Sequence, residues 1–349
     1  MNARVRRHAR ALDVRRGRID MNHGSGGRAT AQLVEEIFLK AFNNEWLRPM
    51  DDQARCDLPA GRLVVATDAH VVSPLFFPGG DIGALAVHGT VNDVAMAGAR
   101  PLYLTAGFIL EEGLPISDLK RIADSMAAAA RAAEVSIIAG DTKVVERGKG
   151  DGVFITTTGV GVVDPALDIH AHRAQPHDCI LISGSIGDHG VAIMSEREHL
   201  SFDARILSDT AALHGLVADM VRAVPTIHCL RDPTRGGLAT ALNEIAQQSG
   251  VGMRILESAI PIRAQVRAAC EFLGLDPLYI ANEGKLIAIC PAREADRLLS
   301  VMRAHPLGVQ AALIGEVVAD PLHFVEMETA FGGSRMVDWL AGDPLPRIC

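Results

Sequence analysis

Short apolar runs alternate with helix-length segments along the whole of this 349-residue sequence, and that alternation limits the fold more than any other feature. In the first half, residues 63–67, 103–110, 135–139 and 153–163 read as strands, and 30–42, 82–97 and 117–133 as helices. In the second half the strands are 179–183, 226–230, 251–256, 286–290, 324–327 and 335–337. Helices over 209–223, 238–248, 262–273 and 294–304 separate them, and a short one follows the glycine turn at 184–190. A polar stretch from Asp164 to Asp178 divides the halves. Each half mixes both element types, which predicts two α/β (α+β) sandwich-like domains, over 19–165 and 175–340, and neither a Rossmann fold nor a TIM barrel. No repeat of solenoid length is visible.

Composition excludes several function classes. No apolar run approaches the roughly 18 residues of a membrane span. The six cysteines (56, 179, 229, 270, 290, 349) form no CxxC pair, which suits a reducing cytoplasm. Seven arginines and one aspartate crowd residues 1–18, so the body carries −14 of a chain whose net charge is −8. An acidic body argues against nucleic acid as a partner. Residues 1–18 read as a disordered basic extension.

Within the strand–helix frame, aspartates recur beside apolar strands or glycine turns: Asp51-Asp52, Asp68, Asn92-Asp93, Asp141 and Asp232. Carboxylates at the ends of buried strands need cations or donors to offset desolvation. Oxygen-only donors without cysteine or histidine point to Mg²⁺. So many carboxylates around Mg²⁺ imply a polyphosphate as well, and the loop His23-Gly24-Ser25-Gly26-Gly27-Arg28 has the backbone to cradle one. Together these read as a Mg·ATP site. His88 lies one helical turn before Asn92 and would face the same nucleotide.

The chain ends in Pro344-Leu345-Pro346-Arg347-Ile348-Cys349. Two prolines disfavour a helix, so 341–349 reads as a flexible, extended tail bearing a terminal thiol.

Several of these stretches carry a resemblance. The His23–Gly27 loop, Thr67-Asp68 ahead of Pro-Gly-Gly-Asp81, and Gly89-Thr-Val-Asn-Asp-Val-Ala-Met-Ala-Gly98 resemble the HypE family of hydrogenase maturation factors. So do Gly107–Pro115, Gly140-Asp-Thr-Lys143, Arg231-Asp-Pro-Thr-Arg-Gly-Gly237, Ala281-Asn-Glu-Gly-Lys285 and the closing Pro-Arg-Ile-Cys349. The resemblance runs from about residue 19 to the end and belongs to the wider superfamily of aminoimidazole ribonucleotide and selenophosphate synthetases. It implies a PurM-like fold whose β-rich N-terminal domain binds ATP and pairs its strands in a homodimer. Asp52, Asp68, Asp93 and Asp232 would be the Mg²⁺ ligands. Gly24, Ser25, Gly26, Gly27, His88, Asn92 and Asp141 would contact the nucleotide. The turn Asp51-Asp52-Gln53-Ala54-Arg55 departs from the family's more usual Asp-Ala-Ala.

The implied reaction is the ATP-dependent dehydration of a carbamoyl group carried on the Cys349 sulfur, giving a thiocyanate. Lys143 would stabilise the phosphorylated oxygen and Glu283 would accept a proton. The implied partners are the carbamoyltransferase HypF as donor and an iron-holding HypC–HypD complex as cyanide acceptor. The alternatives are another ATP-using superfamily member, such as a selenophosphate synthetase or a small-molecule kinase, and a thiol carrier without catalysis. The presence of Ser25-Gly26-Gly27 where selenophosphate synthetases carry a reactive cysteine or selenocysteine counts against the first.

Overall fold

The structure, a computed structural model, describes residues 11–200, 205–342 and 346–349. Residues 1–10 of the expected extension and 343–345 of the expected tail lie outside the described residues. In chain order, α1 (Arg28–Leu33) runs through a π turn (Val34–Phe38) into α2 (Leu39–Phe42). Then come β1 (Arg62–His70), the short hairpin β2 (Phe76–Phe77) and β3 (Gly80–Asp81), α3 (Ile82–Met96), β4 (Arg100–Glu111), α4 (Ile116–Ala132), β5 (Ser136–Val145) and β6 (Val153–Val163). The second domain holds β7 (Asp178–Ile182), α5 (Asp188–Arg197), α6 (His214–Ala223), β8 (Cys229–Arg231), α7 (Gly237–Ser249), β9 (Gly252–Leu256) and α8 (Ala264–Leu273). It closes with β10 (Ile287–Pro291), α9 (Ala295–Ala304), β11 (Ala312–Val318), β12 (Val325–Glu328) and β13 (Ser334–Met336).

The first sheet has the order β1-β6-β4-β5, with only β4 and β5 parallel. Helix α3 is apolar nearly all round, which marks a helix meant for the interior, and it packs on β1 and β6. The Asp81 carboxylate caps it, accepting from the Gly83 and Ala84 N–H groups at 2.8 and 3.0 Å. Helix α4 is amphipathic and presents Leu119, Ile122 and Met126 to the core. Alternation on β6 leaves every second residue buried. One face of the sheet is therefore covered by helices, while the other exposes Leu63, Val65 and Ile109.

The second sheet has the order β13-β12-β9-β11-β7-β10-β8, and only β9 and β12 run parallel. This largely antiparallel wiring agrees with the exclusion of Rossmann and barrel folds. The two domains share one core, in which Val191, Ile193, Val266 and Ile280 of the second cluster with Leu85, Val87 and Phe77 of the first, while a further core around Ile180, Leu242 and Ile289 lies wholly in the second. Each such fully buried side chain contributes roughly 1.5–3 kcal/mol.

Four expectations change. Strand β11 is absent from the sequence reading, because Gly315 interrupts its apolar run at a register shift between Leu313 and Gly315. The helix expected over 209–223 starts only at His214, since the backbone of 209–213 is engaged by other elements. Residues 11–18, expected to be unstructured, dock: Leu12 and Val14 pack on the core, and Arg18 pairs with Pro115. Residues 346–349, expected to be loose, form a bridge between Ile348 and Val72, with Ile348 only 3% exposed.

Candidate active site

Asp68 is not at the end of a strand but inside β1, which continues to His70. Its register partner is Thr157, on the face covered by α3. There the Asp68 carboxylate lies 3.2 Å from the buried His70 Nε2. Gly89 on α3 permits this approach, because a Cβ at that position would lie 2.9 Å from the His70 ring. Burial works against the charge on Asp68, yet the contact with His70 and the more distant Arg235 hold its carboxyl below the usual range.

Asp93, also on α3, joins Asp68 and Asp232. Burial first, then the negative charges of Asp232 and Asp68, push the Asp93 carboxyl up to about 8. The same burial with Asp68 nearby pushes Asp232 to about 6. Asp232 stands in the tight loop between β8 and α7, where Gly237 has φ +59 and a Cβ would meet the Leu278 carbonyl at 2.5 Å. Asp52, the fourth expected ligand, lies apart on the exposed segment ahead of β1, with no hydrogen bond or ion pair of its own among the described residues. Among the described residues, no three His, Cys, Asp or Glu side chains enclose a metal position unaided.

Glu283 completes the cluster. It is 4% exposed, its Oε1 has no hydrogen-bond partner among the described residues, and burial together with Asp209, Asp232 and Asp68 raises its pKa well above the carboxylate range. Its backbone is held at both ends. The N–H donates to Asp209 Oδ1 at 3.0 Å, and the carbonyl accepts from Asn92 Nδ2 at 3.3 Å. Asp209 is itself paired with Lys285 at 2.9 Å, both nearly buried. The Cys349 thiol reaches this place from the other end of the chain and lies beside Glu283, and burial, then that carboxylate, raise its pKa well above the usual thiol value.

Asn92 and His88, expected against a nucleotide, are occupied otherwise. Asn92 Nδ2 donates to the Ala211 carbonyl (3.0 Å), and its Oδ1 accepts from Leu213 N–H (2.7 Å). His88 Nδ1 lies 3.0 Å from Thr210 Oγ1. Both fasten α3 to the 209–213 crossing, so their polar atoms serve the domain junction. Burial, with His214 adding like charge, lowers the His88 pKa to about 4.

The remaining candidates lie elsewhere. Asp141 and Lys143 sit within β5, not beyond its end, and form an exposed ion pair at 2.8 Å. The register Asp141–Gly107–Thr156–Ala69 puts them on the open face, whereas Asp68 is on the covered one. They are also on opposite edge strands, about 14 Å apart across three strand spacings. The glycine loop packs on β5: a Cβ on Gly24 would meet Val144 N at 2.6 Å, and Gly26 has φ +78. Thr30 Oγ1, just past Gly27, accepts from Gly26 N–H at 3.0 Å, while Ser25 is exposed. A cavity of about 150 Å³ opens beside them, lined by Thr30, Val34, Phe38, Phe108, Asp141 and Thr142 among others.

Sequence reasoning missed Asp209, His70, His189 and Arg197. The partners of Asp209, His189 and Arg197 lie many positions away along the chain, and His70, two residues from Asp68, is brought to it by sheet alternation under α3.

The family model for the AIR synthase related protein, N-terminal domain, matches residues 50–163, and that for its C-terminal domain matches 175–328. These matches and the architecture define the class: a two-domain, PurM-like α/β protein. Carbamoyl dehydratase HypE of Azotobacter vinelandii is 70% identical over 338 residues, 97% of this chain and 99% of its own. A solved structure of hydrogenase maturation protein HypE in complex with ATP matches with a TM-score of 0.91 at 53% identity, over 94% of this chain and 99% of that one. A structure of a HypE–HypF complex matches at 0.78 and 50%, over 88% and 99%. The chain belongs to the HypE family.

Proposed function

We propose that this chain is a carbamoyl dehydratase of hydrogenase maturation that uses ATP to convert a carbamoyl group on Cys349 into a thiocyanate. The observation that carries this reading is the terminal thiol seated against Glu283, beside Asp68, Asp93 and Asp232.

Hydroxide is a poor leaving group, so the carbamoyl oxygen must first be activated. The oxygen attacks the γ-phosphorus of ATP and ADP departs. The nitrogen then loses two protons, one to Glu283 and one to the departing phosphate, as the C–O bond breaks, leaving S–C≡N and inorganic phosphate. Glu283 is the base: burial raises its proton affinity, and its unpartnered Oε1 is open to an N–H. Asp68, Asp93 and Asp232 are an oxygen-only set whose mutual repulsion a divalent cation relieves, so they fit Mg²⁺. Bound there, Mg²⁺ would neutralise phosphate charge.

The slot beside the glycine loop is smaller than the roughly 300 Å³ of a typical whole-ligand pocket, so it suits only part of a nucleotide. Asp141 and Lys143 face away from Glu283 within one chain. A homodimer through the open sheet face would cover Leu63, Val65 and Ile109 and bring a second copy's β5 into play. HypF is the proposed carbamoyl donor and a HypC–HypD complex the acceptor of the cyanide.

The test is mass spectrometry of the C-terminal peptide from carbamoylated protein before and after Mg·ATP. The expected result is loss of water on that peptide alone. ATP hydrolysis indifferent to Cys349→Ala would favour the small-molecule kinase reading instead.

A further inference from the structure

The Cys349 sulfur must change its substituent during turnover, so whatever holds the tail must grip it without gripping the sulfur. The described tail is held by its backbone oxygens, by the Ile348 side chain buried in the core and by an ion pair of Arg347 with Asp151 at 3.0 Å. Arg197, the last residue of α5, uses all three guanidinium nitrogens on carbonyl oxygens: Nε on Ser73 (2.9 Å), Nη1 on Pro346 (2.8 Å) and Nη2 on Arg347 (2.7 Å). His189, on the same helix, takes the next one, with Nε2 2.8 Å from the Ile348 oxygen. A carbonyl can only accept, so Nε2 carries the ring hydrogen and Nδ1 accepts from Ser208 Oγ at 2.8 Å. Ser208 in turn accepts from the Thr210 N–H at 3.1 Å. The strand-like bridge adds Ser73 N–H on Arg347 O (3.1 Å) and Val71 N–H on Cys349 O (3.2 Å).

Three consecutive carbonyls, 346 to 348, and an oxygen of the terminal carboxylate of Cys349 are thus each bound by the body of the protein. We propose that Arg197 and His189 are positioning residues that set the register of the tail through its backbone and so deliver the Cys349 sulfur to Glu283 whatever that sulfur carries. This rests on the reading of Cys349 as the carrier. Arg197 joins two segments at once, since Ser73 lies on the segment after β1 that pairs with the tail and Pro346 and Arg347 lie on the tail itself. A lysine offers one point charge where the guanidinium bridges three acceptors.

The experiment uses the full chain and two readouts. Iodoacetamide alkylation of Cys349, followed on the C-terminal peptide, reports docking whether or not the thiol is a carrier. Dehydration of the carbamoylated protein reports chemistry. R197Q and R197K are both expected to alkylate about tenfold faster than the parent, the effect of losing a charge-assisted hydrogen bond. Their maximal dehydration rate is expected to fall by a similar factor with the KM for ATP unchanged. His189→Leu should behave alike, whereas His189→Gln, which keeps a donor near the Nε2 position, should stay protected. Parental alkylation in R197Q, or full protection restored by R197K, would overturn the proposal. Faster alkylation of R197Q in a protein that forms no thiocyanate at all would uphold the docking role and instead remove the carrier reading on which its catalytic part rests.

Discussion

The two faces of the N-terminal sheet carry the same residue types to opposite ends. On the covered face, Asp68 meets His70, Asp93 and Asp232; burial pushes the Asp93 and Asp232 carboxyls up, while His70 holds Asp68 below its usual range. On the open face, Asp141 and Lys143 form an exposed pair, and Lys143 holds the Asp141 carboxyl below its usual range. Both aspartates follow apolar strand residues and stand beside a threonine. A period of two decides which face each takes, and the helices on one face decide which becomes costly to ionise. Charge spent in solvent does little; the same charge under α3 needs a cation, a proton or a partner.

Removing a partner on the covered side should have the largest effect on stability. Lys285→Met would strand the Asp209 carboxylate, and chemical denaturation should show a loss of about 3–5 kcal/mol. Retention of parental stability would mean that Asp209 is not held as an ion. A middle effect belongs to the junction. The folded pKa of His88 is depressed from 6.5 to about 4, so between those values the unfolded chain binds a proton that the folded chain does not. Stability is full above pH 6.5 and falls as pH drops through that window, by on the order of 2–3 kcal/mol. Thermal melts of His88→Asn, which keeps a partner for Thr210 without the charge, should have a flatter acid limb, with His214 leaving a smaller slope. The smallest effect is on the open face. Lys143→Ala should change stability by less than about 0.5 kcal/mol, yet slow dehydration if a second copy brings this residue to the phosphates. Unchanged turnover in that variant would confine the reaction to the covered side.

Much of this was legible in order and not in place. The strand–helix alternation, the acidic positions and the terminal thiol could be read from local pattern. Whether an aspartate ends a strand or lies within it could not, because β1 and β5 continue through polar residues that sheet pairing tolerates. The 209–213 segment has helix-forming residues, but Asn92, His88 and Glu283 take up its backbone and Thr210 side chain, and tertiary bonds override propensity. That residues 346–349 form no helix agrees with the prolines before Cys349. The tail's docking follows from Arg197 and His189, about 150 residues earlier, which no local reading connects to it.

The central claim is that Glu283 takes a proton from the carbamoyl nitrogen on Cys349. Single-turnover mass spectrometry of carbamoylated protein, parent against Glu283→Gln, measures this directly. The glutamine variant should still load the carbamoyl group but form thiocyanate at least ~100-fold more slowly on adding Mg·ATP. Thiocyanate formation at the parental rate would contradict the account.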